Sequence, residues 1–201
     1  MDITIKFQGY VMCQSSFYSV QDLVSSEKTY SFTSGINKIE GEIDSGIWAV
    51  SYLLSMYNYK KDSFMIFDYP EIFVDNKPVA IDEISEISCY LDKSYPLFSS
   101  KEAVKDLLIN GLNHSKVLYS IDDVIDMFQL DSERILRPLS GVGNEIYRAM
   151  AAIGLAYGKE VFCFPWMSYK RFSGYHNNTA KLLDILKKLN KVVILPIGYN
   201  V

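Results

Sequence analysis

The stretch GVGNEIYRAMAAIGLAYGKEVFCFPWM, Gly141 to Met167, carries the pattern that decides the fold. Asn144 to Ala156 is predicted to be a helix rich in small residues, and Val161 to Phe164 is a short apolar run typical of a buried strand. The same order recurs downstream, where an amphipathic helix over Thr179 to Leu189 precedes a second apolar strand over Val192 to Ile197. Helices that alternate with fully apolar strands indicate an α/β fold with a parallel sheet covered on both faces.

The N-terminal part of the chain is predicted to mix strands with one apolar helix. Strand-like alternation occurs over Ile3 to Phe7 and again around Tyr30 to Ile39. The loop Gly41 to Gly46 follows, and Ile47 to Tyr57 has the composition of a mostly buried helix. The order is therefore strand, glycine-containing loop and helix.

Additional strands are predicted between this helix and residue 94. They cover Phe64 to Phe67, Ile72 to Val74 and Ile87 to Leu91, with Asp75 to Pro78 as a turn.

From Ser99 to Phe128 the periodicity becomes helical, with Ser99 and Ser120 as predicted N-caps. We interpret the acidic cluster Asp122, Asp123 and Asp126 as a helix start, where negative charge is favoured, and not as a carboxylate site. Residues 95–145 are predicted to be a helical subdomain inserted in a single domain that covers 1–201.

Composition excludes several classes of function. The 201 residues (23.0 kDa) carry 20 basic and 24 acidic side chains, and this balance does not favour nucleic-acid binding. The cysteines, Cys13, Cys89 and Cys163, are odd in number and lack CxxC spacing, so we expect neither a disulfide framework nor a zinc site. The two histidines, His114 and His176, have no ligand partner at helical spacing, and no metal site is predicted.

The chain is expected to be cytoplasmic. Its N-terminus lacks a basic segment followed by an apolar one, which a secretion signal requires. Its apolar runs are also much shorter than the ~20 residues of a membrane-spanning helix.

The loop from Gly41 to Gly46 has the glycine spacing of the phosphate-binding motif G-x-x-x-x-G-K-[ST]. That motif continues with a lysine that reaches the phosphates and a hydroxyl that holds magnesium. This sequence has Ile47 and Trp48 at those positions, followed by Ala49. The two glycines alone are a weak signal.

The order of further motifs resembles the nucleotide-binding domain of ABC transporters over nearly the full length. Ser34 to Glu42 is similar to the strand that enters that family's phosphate loop, and Val74 to Pro78 is similar to the hairpin that follows. Ile87 to Asp92 resembles the Q-loop segment, with Asp92 in place of glutamine. Ser94 to Ser100 resembles the opening of the helical subdomain. The resemblance implies a P-loop NTPase-like parallel sheet, an N-terminal antiparallel β part and the inserted subdomain.

The most specific resemblance lies in the opening stretch. When Arg148 is aligned with the arginine that ends the LSGGQQR-type motif, Gly143 takes the place of its first glycine. Val142 then replaces the serine and Asn144 the second glycine. The resemblance implies that Gly143, Asn144 and Glu145 could offer backbone N–H groups to a nucleotide bound by a partner.

The same alignment places apolar residues where the family has catalytic groups. Pro165, Trp166 and Met167 occupy the places of the aspartate, glutamate and proline after the Walker B strand. Lys191 to Ile197 resembles the strand that precedes the switch histidine, and Gly198 stands where that histidine is expected.

These departures predict a protein that is not an enzyme and does not bind ATP by itself. Nothing would neutralise the triphosphate or hold the metal, Asp44 would repel phosphate, and Trp48 would fill part of the vacated space. We therefore expect a plugged pocket, without cofactor, in a pseudo-ATPase. The partners implied are an intact ABC ATPase subunit, a membrane permease subunit that would hold it at the membrane, or a second copy.

Two other functions remain open at this stage. The chain could be a free-standing regulatory module that has kept the fold, or a divergent ATP-binding subunit that uses Lys38 or Lys60. Tyr90, Tyr95 and Phe98 are expected either in the core or along a groove that receives a helix of a membrane protein.

Overall fold

The structure is a computed structural model that describes residues 1–14, 19–42, 45–60, 70–98, 101–170 and 176–199. The strands are β1 (Ile3–Gln14), β2 (Ser19–Phe32), β3 (Gly35–Glu40), β4 (Glu71–Val74), β5 (Lys77–Val79), β6 (Ser88–Tyr90), β7 (Val161–Cys163) and β8 (Val192–Ile197). The helices are α1 (Ile47–Lys60), α2 (Ile81–Ile87), α3 (Val104–His114), α4 (Ile121–Phe128), α5 (Ile146–Ala156) and α6 (His176–Lys188).

The strands form two sheets of four strands each. The first is antiparallel in the order β2-β1-β4-β5, and the second is parallel in the order β3-β8-β7-β6. The predicted α/β class with an antiparallel N-terminal part and a parallel core is confirmed. In the parallel sheet β8 lies between β3 and β7, so the strand that leads into the glycine loop does not pair with β7.

Helices cover both faces of the parallel sheet, as predicted. Tyr90 of β6 meets Tyr52 of α1 edge to face, with ring centroids 5.6 Å apart. A Cβ added at Gly154 of α5 would lie only 3.0 Å from the Sγ of Cys89, so α5 packs closely on the residue next to Tyr90. Because neighbouring side chains of a strand point to opposite faces, α1 and α5 lie on opposite sides of the sheet.

The alternation around Tyr30 to Ile39 belongs to two strands and not to one, which corrects the sequence-based expectation. β2 ends at Phe32, and Gly35 at the start of β3 has a φ of +110°, a backbone conformation that favours glycine. Asn37 holds this corner, because its side-chain amide donates to the Thr33 carbonyl at 2.7 Å and its Oδ1 accepts from the Thr33 N–H at 3.0 Å. The chain thereby passes from the antiparallel sheet to the parallel one.

The turn predicted at Asp75 to Pro78 joins β4 to β5. Asp75 and Asn76 have φ values of 49° and 64°, as a two-residue hairpin turn requires, so this prediction is confirmed. The strand predicted at Phe64 to Phe67 lies outside the described residues.

The helix starts are partly as predicted. Ser120 caps α4 through its Oγ, which accepts from the Asp123 N–H at 3.1 Å, while Asp123 accepts from the Ser120 N–H at 2.9 Å. Hydrogen bonds that the Asp123 carboxylate accepts from the Ser120 hydroxyl, at 2.7 Å, and from the Ser120 N–H hold the pKa of Asp123 below its usual value. α3 begins at Val104 with Ala103 as its N-cap, later than the helix start predicted at Ser99. Ser99 itself lies outside the described residues.

Two further elements differ from the sequence-based prediction. The helix predicted from Asn144 begins at Ile146, because residues Gly143–Glu145 form a 3-10 turn before it. The short helix α2 was not predicted, since its seven residues give too little periodic signal.

Buried side chains from Ile3 to Ile197 form a hydrophobic core cluster. Within the part of the chain that the structure describes, no helix is both long and apolar enough to cross a bilayer.

Candidate functional site

Four of the predicted site positions lie at the carboxyl ends of the four parallel strands. Gly41 follows β3, Asp92 follows β6, Pro165 follows β7 and Gly198 follows β8. The carboxyl ends of parallel strands share one edge of the sheet, and in open α/β sheets ligands bind at this edge. The structure therefore brings these positions to one side of the molecule.

Backbone hydrogen bonds tie the segments at this edge together. The Gly41 N–H donates to the Ile197 carbonyl at 3.1 Å, and the Gly198 N–H donates to the Met167 carbonyl at 2.9 Å. The Met167 N–H in turn donates to the Pro196 carbonyl at 3.2 Å. Three strand exits are thus held in fixed positions relative to one another.

The only two tryptophans of the chain stack on each other at this edge. The ring centroids of Trp48 and Trp166 are 4.3 Å apart and their planes differ by 20°. Trp48 is buried, with 7% of its surface exposed, and the Trp166 indole donates from Nε1 to the Gly41 carbonyl at 3.2 Å. The stack therefore joins the segment that follows β7 to the start of α1 and to the glycine loop.

Gly198 leaves the room that Trp166 occupies. A Cβ added at Gly198 would lie 2.3 Å from Cζ2 of Trp166 and 3.0 Å from Oε1 of Glu42. The same Glu42 oxygen accepts a hydrogen bond from the Tyr199 N–H at 2.7 Å. A residue with a side chain at 198 and the observed position of Trp166 therefore exclude each other.

The glycine loop leads directly into α1. Gly46 is the N-cap, because its carbonyl accepts the first helical bond from the Val50 N–H at 3.0 Å, and its φ is +88°. Ser45 Oγ donates a hydrogen bond to the Glu42 carbonyl. The same Oγ accepts a hydrogen bond from the Ile47 N–H at 3.4 Å. Ile47, like Trp48, is packed in the core. Asp44 lies outside the described residues.

A carboxylate that the sequence analysis missed binds the start of α1. Asp22 of β2 is fully buried, and its Oδ2 accepts from the N–H of Ala49, the third residue of α1, at 3.0 Å. The sequence did contain a signal: in the alternation Val20, Asp22, Val24, an acidic residue stands on the apolar face of a strand. The local sequence does not show that the partner of this carboxylate is the N–H of Ala49, 27 residues further along the chain.

Tyr30 of β2 binds the glycine loop from the same side. Its hydroxyl donates to the Ser45 carbonyl at 2.6 Å. Burial and the nearby negative charge of Asp22 raise the pKa of Tyr30 to about 12. A Cβ added at Gly46 would lie 3.1 Å from the Tyr30 hydroxyl and 3.3 Å from Val24 Cγ2, so the loop is pressed against the antiparallel sheet.

We expect the change Tyr30→Phe to reduce the loss of stability at alkaline pH. Because the pKa of Tyr30 in the folded protein is about 12, above its ordinary 10.0, the stability it contributes is present below pH 10 and is lost as the pH rises towards 12. Phenylalanine lacks this titration. Urea denaturation of both proteins between about pH 9 and about pH 12 should give a flatter curve for Tyr30→Phe. Equal slopes would contradict the expectation, and the exposed Tyr119 provides the control Tyr119→Phe.

The second predicted motif lies at the start of α5. Gly143, Asn144 and Glu145 form the 3-10 turn that precedes the helix. Gly143 and Asn144 are exposed, and no heavy atom lies within 4 Å of a Cβ added at Gly143, whose φ is +63°. The backbone of this turn therefore lies at the surface.

The side chain of Glu145 points away from that surface. It is 8% exposed, and its carboxylate accepts from Arg134 Nη1 at 2.9 Å and from the Asp131 N–H at 3.1 Å. Arg134 also donates to Asn144 Oδ1 at 2.9 Å. The Glu145 side chain thus fixes the turn from its buried side. The resemblance implied a role only for the backbone of Glu145.

Arg148 completes this network from α5. Arg148 is 7% exposed. Its guanidinium donates from Nη1 to the Phe128 carbonyl at 3.0 Å and to the Gln129 carbonyl at 2.7 Å. Its Nη2 lies 3.7 Å from Glu145 Oε1. The C-terminal end of α4 is therefore joined to the start of α5 by a buried cation.

The remaining predicted positions are parts of the core. Asp92 is 2% exposed, and its Oδ1 accepts from the Ser94 N–H at 2.8 Å. Tyr90, Tyr95 and Phe98 are all buried, so they are core residues and do not line a groove. Among the residues described, no three potential metal ligands come together.

Comparison with known proteins supplies the fold family. No family model and no curated protein matches the chain. Many solved structures do match, among them a putative ABC transporter ATP-binding protein from Pyrococcus furiosus, at 14% identity and TM-score 0.63, with 98% of this chain and 92% of that chain covered. Another is cbiO1 from Clostridium perfringens, described as part of the ABC transporter complex cbiONQ, at 14% identity and TM-score 0.60, with 100% and 80% covered.

A third match is an ATP-binding cassette in a dimeric post-hydrolysis state bound to ADP and Pi. It is 13% identical with a TM-score of 0.57, and the alignment covers 98% of this chain and 88% of that chain. These likenesses confirm that the chain has the fold of an ABC nucleotide-binding domain.

Proposed function

We propose that this chain is a non-catalytic protein with the fold of an ABC nucleotide-binding domain, a pseudo-ATPase that serves as a partner subunit of an ABC transporter complex. The observation that carries the proposal is the Trp48–Trp166 stack, since both rings lie at the sheet edge where this fold would bind a nucleotide. Trp166 fits in that position only because the neighbouring Gly198 has no side chain. The two indole rings thus support the proposal that side chains of the chain itself occupy the nucleotide site.

The charges at this edge also oppose binding of a triphosphate. The family's lysine and magnesium-binding hydroxyl correspond to Ile47 and Trp48, both buried. Glu42, the residue after Gly41, and the buried Asp22 add negative charge beside the loop. Phosphoryl transfer depends on cations that neutralise the developing negative charge. Carboxylates beside the loop would instead repel the phosphates of a nucleotide.

The geometry does not favour a rearranged ATP site. Lys38 lies on β3 and forms an ion pair with Glu40, with Nζ and Oε1 2.6 Å apart. Lys60 is the last residue of α1, about 20 Å along the helix from the glycine loop. Neither position suits a lysine that must reach phosphates at the start of α1.

The turn Gly143–Glu145 supports a role towards a partner. Its backbone is exposed at the start of α5, and Glu145, Arg134 and Arg148 fix its position from inside. Such a turn can offer N–H groups to a phosphate held by another subunit. A second copy of this chain would bring the same Ile47 and Trp48 to the shared site, so we propose an intact ATPase as the partner, giving a heterodimer.

Titration with Mg-ATP tests the first half of this proposal. By calorimetry we expect no binding to the isolated chain at micromolar concentrations, because the loop is filled and lacks a cation. We expect no ATP hydrolysis by the isolated chain either. Micromolar binding, or a quench of the two tryptophans by Mg-ATP at such concentrations, would contradict the plugged site.

The second half is tested with any intact ABC ATPase that proves to be encoded beside this chain. Gly143→Asp and Gly143→Asn form a matched pair, since both residues tolerate the positive φ and only one adds charge. We expect Gly143→Asp to weaken Mg-ATP-dependent association with that ATPase at least tenfold relative to Gly143→Asn, because the carboxylate would face the γ-phosphate. Equal affinities of the two variants would refute contact between this turn and the nucleotide.

A further inference from the structure

The contact between Asp22 and Ala49 joins the antiparallel sheet to the glycine loop. We propose that the Asp22 carboxylate acts as an internal anion. It accepts from the N-terminal end of α1, at the place where loops of this type bind a phosphate group, and so keeps phosphate out. Its Oδ2 accepts from an N–H in the first turn of α1 at 3.0 Å, and the side chain is fully buried. Free phosphate would have to displace this carboxylate to reach the same N–H.

The shape of the β1–β2 hairpin brings Asp22 to this point. The pairing register shifts between Phe7 and Gly9, and Gly9 has a φ of +130°. Such a bulge bends a strand and increases its twist. The part of the hairpin beyond the bulge, where Asp22 pairs with the buried Val11, reaches the first turn of α1.

Close packing fixes the hairpin against the loop independently of that hydrogen bond. An added Cβ at Gly46 would lie 3.3 Å from Val24 Cγ2 and 3.4 Å from the Phe7 ring. The Tyr30 hydroxyl holds the Ser45 carbonyl at 2.6 Å from the same strand. Three residues of β1 and β2 besides Asp22 therefore fix the hairpin beside Gly46.

The electrostatics agree with this role. The N-terminus of a helix favours negative charge, and a carboxylate there does what a bound phosphate does in a ligand-dependent loop. Because Asp22 belongs to the chain, it competes as an intramolecular ligand with a high effective concentration. The first turn of α1 then has an anionic acceptor in the absence of any nucleotide.

The experiment measures thermal unfolding of the full chain in sodium pyrophosphate and in sodium chloride of equal ionic strength, using the tryptophan emission. We expect equal midpoints in the two salts for the unaltered chain. Asp22→Ala should unfold at lower temperature in chloride, and pyrophosphate should raise its midpoint by about 3 to 6 °C, as an anion at roughly tenfold its dissociation constant would do in a chain of this size. Asp122→Ala, which removes an exposed acid from the first turn of α4, is the control and should respond equally to both salts.

A residue that only caps the helix would give a different result. Asp22→Ala would then lose stability without any specific response to pyrophosphate, and this outcome would overturn the proposal. An unaltered chain that responds as strongly as Asp22→Ala would also overturn it. If Asp22→Ala does not fold in either salt, the same comparison is made with Asp22→Asn, which keeps an acceptor oxygen for the Ala49 N–H and loses only the charge. A higher midpoint of Asp22→Asn in pyrophosphate than in chloride supports the proposal, and equal midpoints overturn it. Failure here leaves the partner role untouched, since the Gly143 variants test that separately.

Discussion

The change Gly198→Ala is expected to lower the free energy of unfolding by about 3 kcal/mol, at the upper end of the usual cost of overpacking. The new methyl group would lie 2.3 Å from Cζ2 of Trp166. Trp166 cannot turn aside easily, because its ring is stacked on Trp48 and its Nε1 donates to the Gly41 carbonyl. Urea denaturation followed by far-UV circular dichroism measures the loss, and the emission of the two tryptophans shows whether the stack has opened.

A second substitution tests the cause of this loss. Trp166→Phe removes the part of the ring that meets residue 198, so the double variant Gly198→Ala, Trp166→Phe should be more stable than the sum of the single losses predicts. Gly141→Ala serves as the control, because an added Cβ there comes no closer than 3.1 Å to another atom, the Cβ of the exposed Arg137. Strictly additive losses in the double variant would show that Trp166 is not the obstacle.

The change Arg148→Ala is expected to destabilise the protein by about 3 to 5 kcal/mol, as removal of one partner of a buried ion pair does. The Glu145 carboxylate would lose a nearby buried cation, and the carbonyls of Phe128 and Gln129 would lose their donor. We also expect the turn before α5 to become susceptible to proteases, since its inner support is weakened. Urea denaturation and limited proteolysis measure the two effects.

The matched comparison for Arg148 is Arg134→Ala. Arg134 binds the same Glu145 oxygen at 2.9 Å, but 41% of its side chain is exposed, so its loss should cost about 1 kcal/mol. The double change Arg148→Met, Glu145→Gln should recover part of the stability, because it removes both buried charges. An Arg134→Ala variant as unstable as Arg148→Ala would contradict the assignment of the buried guanidinium as the main support.

The sequence predicted those features that depend on neighbouring residues. The helix after the glycine loop, the cap at Ser120 and the apolar strands over Val161 to Phe164 and Val192 to Ile197 all follow from local periodicity or local hydrogen bonds. The resemblance to ABC nucleotide-binding domains then supplied the order of elements, which the solved structures confirm.

Features that depend on distant residues were not predictable in this way. Trp166 and Gly41 are 125 positions apart, and the strand order of the parallel sheet brings them within hydrogen-bond distance. Asp22 meets Ala49 because a bulge bends the hairpin, and the Tyr30 to Ile39 alternation conceals the corner at Gly35. Periodicity reports which face of an element is buried, but not which element covers it.

The mutual fit of Trp48, Trp166 and Gly198 limits how this sequence can evolve. A histidine at 198 would clash with Trp166, and a carboxylate at 166 would leave Trp48 without its stacking partner beside the empty space over Gly198. Either change, made alone, is therefore expected to give a less stable protein. The mutual packing of these three residues therefore opposes the replacement of one of them at a time.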